Sequence, residues 1–73
     1  MTIGERIRDR RRELKITQEA LAKTIGSNKQ LINKYERGVV VDIPIRKIEI
    51  IAEALSISPA YLVGWSSEKE LKK

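Results

Sequence analysis

The sequence predicts an all-α protein of five short helices packed into one compact domain. Apolar residues recur at intervals of three and four along most of the chain, which is the spacing of one face of an α-helix. Residues that suit helix starts precede these stretches, because Ser, Thr and Asn side chains cap free N–H groups and Pro fits a first turn. With 73 residues the chain has room for a single domain. The predicted starts are marked by Thr2, Thr17, Asn28, Pro44 and Ser58.

The first helix is expected to begin after Thr2 and to end at Leu14. On a period of 3.6 residues, Ile3, Ile7 and Leu14 fall on one apolar stripe. Arg10 falls in the same stripe, which is unusual for a charged residue. Its stem is expected to cover apolar surface while its guanidinium reaches solvent or a carboxylate.

Five arginines make this helix the most densely charged part of the chain. Glu5, Asp9 and Glu13 are interleaved with them, so one interpretation is a solvated helix face with local ion pairs. The other interpretation is that one arginine contacts a phosphate and another binds Glu36. The residues alone leave both open for Arg6, Arg8, Arg10, Arg11 and Arg12.

The stretch from Thr17 to Gly38 predicts two further helices around a tight turn. The second helix is expected from Gln18 to Ile25, and the third follows Asn28, which has better spacing as a cap than Ser27. Gly26 suits the turn because it adopts positive φ without strain. Two helices at a corner with a cationic outer face are typical of a helix-turn-helix that binds DNA.

The outer face of the third helix carries amides and cations and no carboxylate. Gln and Asn amides match the major-groove edge of adenine, and Lys reaches guanine or a phosphate. A solvated amphipathic helix is the alternative, but the missing acids and the preceding turn favour DNA. The start of the second helix offers free N–H groups and the Gln18 amide to a phosphate, but on the residues alone an exposed Gln18 without a function is the favoured interpretation. The candidate DNA-binding residues are Gln18, Asn28, Lys29, Gln30, Asn33, Lys34 and Arg37.

Segment 39–43 is unusual because four of its five residues are β-branched. It is either an extended segment that packs on the core or an exposed apolar patch that contacts another subunit. Ile50, in the following helix, projects away from the core side and is a second candidate for such a contact. The candidate dimer residues are Val39, Val40, Val41 and Ile50.

The fourth helix is expected to start at Pro44 and to continue to Leu55, with a buried stripe of Ile45, Ile48, Ile51, Ala52 and Leu55. A short fifth helix should follow the cap at Ser58, and Gly64 is placed to end it. These residues predict a domain over 1–65, with 66–73 as a flexible charged tail or linker. The core is expected to be completed by Tyr61, Leu62 and Trp65.

Composition narrows the function further. Fifteen Lys and Arg against ten Asp and Glu give a net charge of +5, which favours a polyanionic partner. The chain has no Cys and no His, so the commonest metal ligands and the commonest general base are missing. We therefore expect no enzyme activity, no metal, no cofactor and no small-molecule ligand. No signal peptide or membrane span is evident, which favours a soluble cytoplasmic protein.

Nearly the whole chain resembles the phage repressor and Cro-like helix-turn-helix family. The matching stretches are IGERIRDRRREL, ITQEALAKTIG, NKQLINKYERG and ALSISPAYLVGW. The last is similar to repressor N-terminal domains of phages from Gram-positive hosts. Ser27, Arg10 and the absence of basic residues in 39–43 depart from the family pattern.

The resemblance implies a compact lambda-repressor-like fold and specific residue roles. It implies that Gln18 binds phosphate and braces the third helix, and that Arg11 pairs with Glu36. The face of the third helix is implied to contact bases and nearby phosphates.

Together these features predict a transcriptional repressor that binds double-stranded operator DNA, with its third helix in the major groove. A domain of this size contacts few base pairs, so we expect a homodimer on a pseudo-palindromic site, formed in solution or only on DNA. The alternative is a protein-interaction module of antitoxin or coactivator type built on the same fold. DNA binding that depends on salt would separate the two.

Overall fold

A computed structural model describes residues 1–67 and confirms the all-α, five-helix prediction. The helices are α1 (Ile3–Glu13), α2 (Gln18–Thr24), α3 (Lys29–Glu36), α4 (Ile45–Ala54) and α5 (Pro59–Leu62). No β-strand occurs within residues 1–67. The longest helix has 11 residues, against the roughly 20 apolar residues that a bilayer requires. Accordingly, none of the helices in the described part of the chain could span a membrane.

Side-chain caps determine where four of the helices begin. Thr2 accepts a hydrogen bond from the Glu5 backbone at 3.1 Å, and Glu5 accepts one from the Thr2 backbone at 2.8 Å, which is a capping box. The bond from the Thr2 backbone holds the pKa of the Glu5 carboxyl below its ordinary value. Thr17, Asn28 and Ser58 cap α2, α3 and α5. Pro44 precedes α4 without a side-chain cap.

Helices α1 and α2 both pack against α3, and α4 packs against α5. Where α1 crosses α3, Gly4 is buried and directly faces the α3 backbone. A Cβ at this position would overlap the Tyr35 carbonyl oxygen and lie 3.2 Å from the Cα of Glu36. The glycine therefore allows the two helices to approach closely. The fully buried side chains are Ile7, Leu21, Ile32, Ile51, Leu55, Ile57 and Leu62.

Three apolar residues expected in the core are exposed instead. Leu14 is the C-cap of α1 and is 38% exposed. Ile45 is the first residue of α4 and is 67% exposed, because it lies at the end of the helix while the core contacts its later turns. Trp65 follows α5 and is 85% exposed. Leu62 is buried and Tyr61 is half-buried, so these two close the core without Trp65.

Candidate nucleic-acid interface

Helices α2 and α3 form a tight corner around Gly26. Gly26 has a φ of +70°, a conformation that costs glycine little. The Ser27 backbone N–H donates to the Ala22 carbonyl at 2.8 Å, which closes the end of α2. The Asn28 carboxamide oxygen then accepts from the Leu31 backbone at 2.9 Å and starts α3. Asn28 is thus the cap, as its spacing predicted, rather than Ser27.

The corner holds one side of α3 in the core and leaves the other side free. Ile32, Tyr35 and Glu36 are buried, and burial raises the pKa of the Tyr35 hydroxyl. On the opposite side Asn33 is half-buried, and the other polar residues of this face are exposed, namely Lys29, Gln30, Lys34 and Arg37. A shallow depression of about 360 Å³, here called the α3 depression, is lined by Gln18, Lys29, Gln30, Asn33, Lys34, Arg37 and Val39.

The α3 depression brings together six of the seven predicted DNA-binding residues and contains no carboxylate. Asn28 lies outside it, in an adjacent groove between the starts of α2 and α3. Because the Asn28 carboxamide oxygen is engaged by the α3 backbone, its amide nitrogen is the group that remains for a partner.

Glu36 anchors the end of α3 to two other parts of the structure. Its side chain is 3% exposed, and Arg11 donates to it from Nε at 2.7 Å and from Nη2 at 3.0 Å. Arg11 Nη1 also donates to the Ile16 carbonyl at 2.9 Å. This two-point contact between a guanidinium and a carboxylate is the strong geometry for such a pair. It ties α3 to α1 and to the connection before α2.

Gln18 completes this arrangement from the start of α2. Its Nε2 donates to Glu36 Oε1 at 3.1 Å. Since an ionised carboxylate only accepts hydrogen bonds, Gln18 must turn its NH₂ group towards Glu36. The second hydrogen on the same nitrogen is then the donor that remains for a further acceptor. Glu36 thereby fixes the orientation of a residue that lines the α3 depression.

The arginines of α1 are used largely inside the domain, and none of them lines the α3 depression. Arg10 reaches the end of α4, where Nε donates to the Leu55 carbonyl at 2.8 Å, and it also pairs with Glu13 at 3.2 Å. Arg6 lies 5.8 Å from the centre of the Tyr61 ring. Both interpretations of the arginine run therefore apply in part, since several are paired locally and Arg11 binds Glu36. The contact of Arg10 with a helix end was missed, because nothing in the sequence marks a distant carbonyl.

The residues predicted for dimer contact are divided among different environments. Val40 is half-buried and packs against the core, so only part of its side chain is available to a partner. Val39 is 62% exposed and borders the α3 depression. Val41 is 73% exposed, and Ile50 is 41% exposed on α4. Within segment 39–43, Val40 and Ile43 therefore pack against the core, whereas Val39 and Val41 are exposed.

Among residues 1–67 there is also no group of three or more His, Cys, Asp and Glu placed to hold a metal ion. The polar side chains that line the α3 depression are hydrogen-bonding amides and cations at an open surface.

Residues 7–62 match the family model described as Helix-turn-helix, and the chain belongs to this family. It is 33% identical over 70 residues to the HTH-type transcriptional regulator DicA of Escherichia coli (strain K12), a match that covers 96% of this chain and 51% of DicA. It is 39% identical over 61 residues to Repressor protein C2 of Salmonella phage P22, across 84% of this chain and 28% of that repressor.

A solved structure shows the same fold. The P22 c2 repressor protein, crystallised in complex with the synthetic operator 9T, superposes with a TM-score of 0.81 and 36% sequence identity. The match covers 90% of this chain and 98% of that one. The chain spans about half the length of DicA and less than a third of that of Repressor protein C2.

Proposed function

We propose that this chain is a sequence-specific DNA-binding domain of a transcriptional repressor. The observation that carries the proposal is the α3 depression, where amide and cationic side chains meet without a single carboxylate. Its occupant must be anionic and must also offer hydrogen-bonding edges, and duplex DNA satisfies both. The similar P22 c2 repressor was crystallised with operator DNA, which supports the same occupant here.

In this function α3 lies in the major groove. Gln30 and Asn33 contact base edges, because an amide that both donates and accepts distinguishes adenine from the other bases. Lys29 and Lys34 reach guanine or the backbone. Arg37 and Gln18 at the margins hold phosphates and set the register of α3, but phosphate contacts themselves carry no sequence information.

The functional unit is proposed to be a homodimer on a pseudo-palindromic operator. Two copies related by two-fold symmetry place their α3 helices in successive major grooves, with half-sites about one helical turn apart. One copy alone contacts too few base pairs for useful affinity. We assign the DNA-binding domain to residues 1–65 and a charged tail or linker to 66–73, which lies mostly outside the described residues. The site of action is the bacterial cytoplasm, at the nucleoid.

Selection of binding sites from randomised duplex DNA tests this proposal directly. The expected result is an enriched sequence with two-fold symmetry. A gel shift on random duplex at several salt concentrations is the companion measurement, because contacts with phosphates release counterions and make binding weaken as salt rises. Absence of salt-dependent binding would refute the proposal and favour the protein-interaction alternative.

A further inference from the structure

The charges of α4 are arranged against its own helix dipole. The N-terminus of a helix carries partial positive charge and favours acids, and the C-terminus favours bases. Helices α1 and α2 follow this rule, with acids in the first turn and bases in the last. In α4, Arg46 and Lys47 occupy the first turn and Glu53 the last, with no acid first and no base last. The charge order of α4 therefore costs stability in an isolated domain.

Arg46 and Glu49 are three positions apart on α4, but no ion pair joins them in the described part of the chain. The ion pairs within residues 1–67 involve other residues. Glu49 precedes Glu53 by four positions, so two like charges lie side by side on one face of α4. An external group with the opposite charge order would relieve both conflicts.

An apolar side chain lies between the two charged ends. Arg46, Ile50 and Glu53 are separated by four and three positions, so they share one side of the helix, here called the outer face of α4. All three are exposed, and Ile50 is 41% exposed. The buried residues Ile48 and Ile51 lie on the opposite side.

We propose that the outer face of α4 pairs with the same face of a second copy, with the two helices antiparallel. This inference rests on the proposed function, because it names the surface by which the DNA-binding homodimer forms. Two-fold symmetry places Arg46 of each copy opposite Glu53 of the second copy. The midpoint falls between Glu49 and Ile50, so Ile50 of each copy lies close to the axis and opposite Glu49 of the second copy.

The antiparallel pairing accounts for both the charge order of α4 and its exposed Ile50. The acid that the first turn of α4 lacks is supplied by the second copy, and so is the base that the last turn lacks. Antiparallel helix dipoles also attract. A contact between two short helices buries little area, so the dimer is weak alone and forms mainly when DNA brings two copies together.

Disulfide trapping tests the pairing without DNA, since the chain contains no cysteine. Ile50→Cys should form a covalent dimer rapidly under mild oxidation, whereas Val41→Cys, on the competing apolar segment, serves as the matched control. Adding Arg46→Glu should slow trapping of Ile50→Cys about tenfold, because two attractive exposed pairs become repulsive. Adding Glu53→Arg to that variant swaps the charges and should restore the original rate.

Three outcomes would overturn the pairing: equal trapping at positions 41 and 50, no effect of Arg46→Glu, or no rescue by the charge swap. Binding to a duplex with one half-site is measured in parallel. If Arg46→Glu weakens this single-site binding as much as two-site binding, Arg46 contacts DNA and the pairing is again refuted. Failure of the unmodified chain to bind any duplex would instead refute the proposed function, while the trapping result would still decide the pairing.

Discussion

The buried carboxylate of Glu36 offers the sharpest test of how α3 is held. In Glu36→Gln the side chain keeps its shape but loses its charge, and one of its two acceptor oxygens becomes an NH₂ group. In the unmodified protein, Arg11 and Gln18 donate to both carboxylate oxygens of Glu36. The new NH₂ group must therefore face one of these donors. Two donors then point at each other in a site where water has little access.

The expected loss is large for a domain of this size. Breaking a buried ion pair by removing one partner costs about 3–5 kcal/mol, and the side chains of Glu36 and Arg11 are only 3% and 11% exposed. A core of this size contributes about 3–5 kcal/mol of net stability. Glu36→Gln should therefore leave much of the protein unfolded at 25 °C.

Replacing both partners separates the charge pair from the shape of the site. In the double variant Arg11→Met with Glu36→Met, no buried charge is left alone, so most of the stability should return. DNA affinity should stay low, because Gln18 no longer has the acceptor that orients its amide. The double variant is thus expected to be stable but to bind DNA weakly.

Urea unfolding followed by circular dichroism measures the free energy of unfolding, with a stabilising osmolyte added to extend the range for weak variants. Asp42→Asn, which removes an exposed carboxylate outside the helices, is the control and should change stability little. A loss below about 1 kcal/mol for Glu36→Gln, the value of an exposed pair, would refute the reasoning. So would a double variant that is no more stable than Glu36→Gln.

Four further substitutions test the site and the scaffold. Gln30→Ala should lose about 1–3 kcal/mol of binding on the selected site and little on random duplex; equal losses in gel shifts would remove Gln30 from base contact. Arg37→Ala should weaken binding to all sequences and make the slope of log K against log salt shallower by about 0.9 for each phosphate that Arg37 neutralises. Gly4→Ala should lower the free energy of unfolding by about 1–3 kcal/mol or more, because the added methyl group overlaps the α3 backbone. A melting temperature equal to that of the unmodified protein would contradict the close approach of α1 and α3. The pKa of Glu5 is lowered in the folded protein. The ionised Glu5 therefore stabilises the protein fully above the ordinary pKa of the carboxyl, near 4.5, and this stabilisation is lost as the pH falls through the lowered pKa. Glu5→Gln keeps the cap without titrating, and its acid unfolding curve should be flatter in that range.

Local signals predicted most of the fold. Caps and apolar spacing located all five helices, but some ends differ. Leu14, Ile25 and Leu55 are C-caps rather than helical, and Pro44 precedes α4 instead of starting it. Spacing failed at Ile45, because periodicity identifies a side of a helix but not whether the core extends to its end. It failed similarly for Trp65, which has the composition of a core residue but follows α5.

Contacts between distant residues were harder to predict. The face of α3 followed from one helical stretch, and the structure gathers its predicted residues together with Gln18 of α2 in one depression. The partner of Arg10 is a backbone carbonyl 45 positions away, and no side-chain pattern encodes such a group. Segment 39–43 alternates between core and surface at Val39, Val40 and Val41, so no single interpretation of the whole segment was adequate.

The roles of the charged residues explain why the most arginine-rich helix is absent from the α3 depression. Helix α1 meets α3 through the bare backbone at Gly4 and through the Arg11–Glu36 pair, and Arg10 joins it to the end of α4. These contacts hold the last turn of α3, at Tyr35 and Glu36, and link α3 to the helix whose outer face is proposed to form the dimer. A base-contacting helix must be positioned within a fraction of an ångström relative to its symmetry mate. Under the proposed function, Arg10 and Arg11 act on DNA binding through the position of α3, so their substitution should lower affinity and stability together rather than change which bases are preferred.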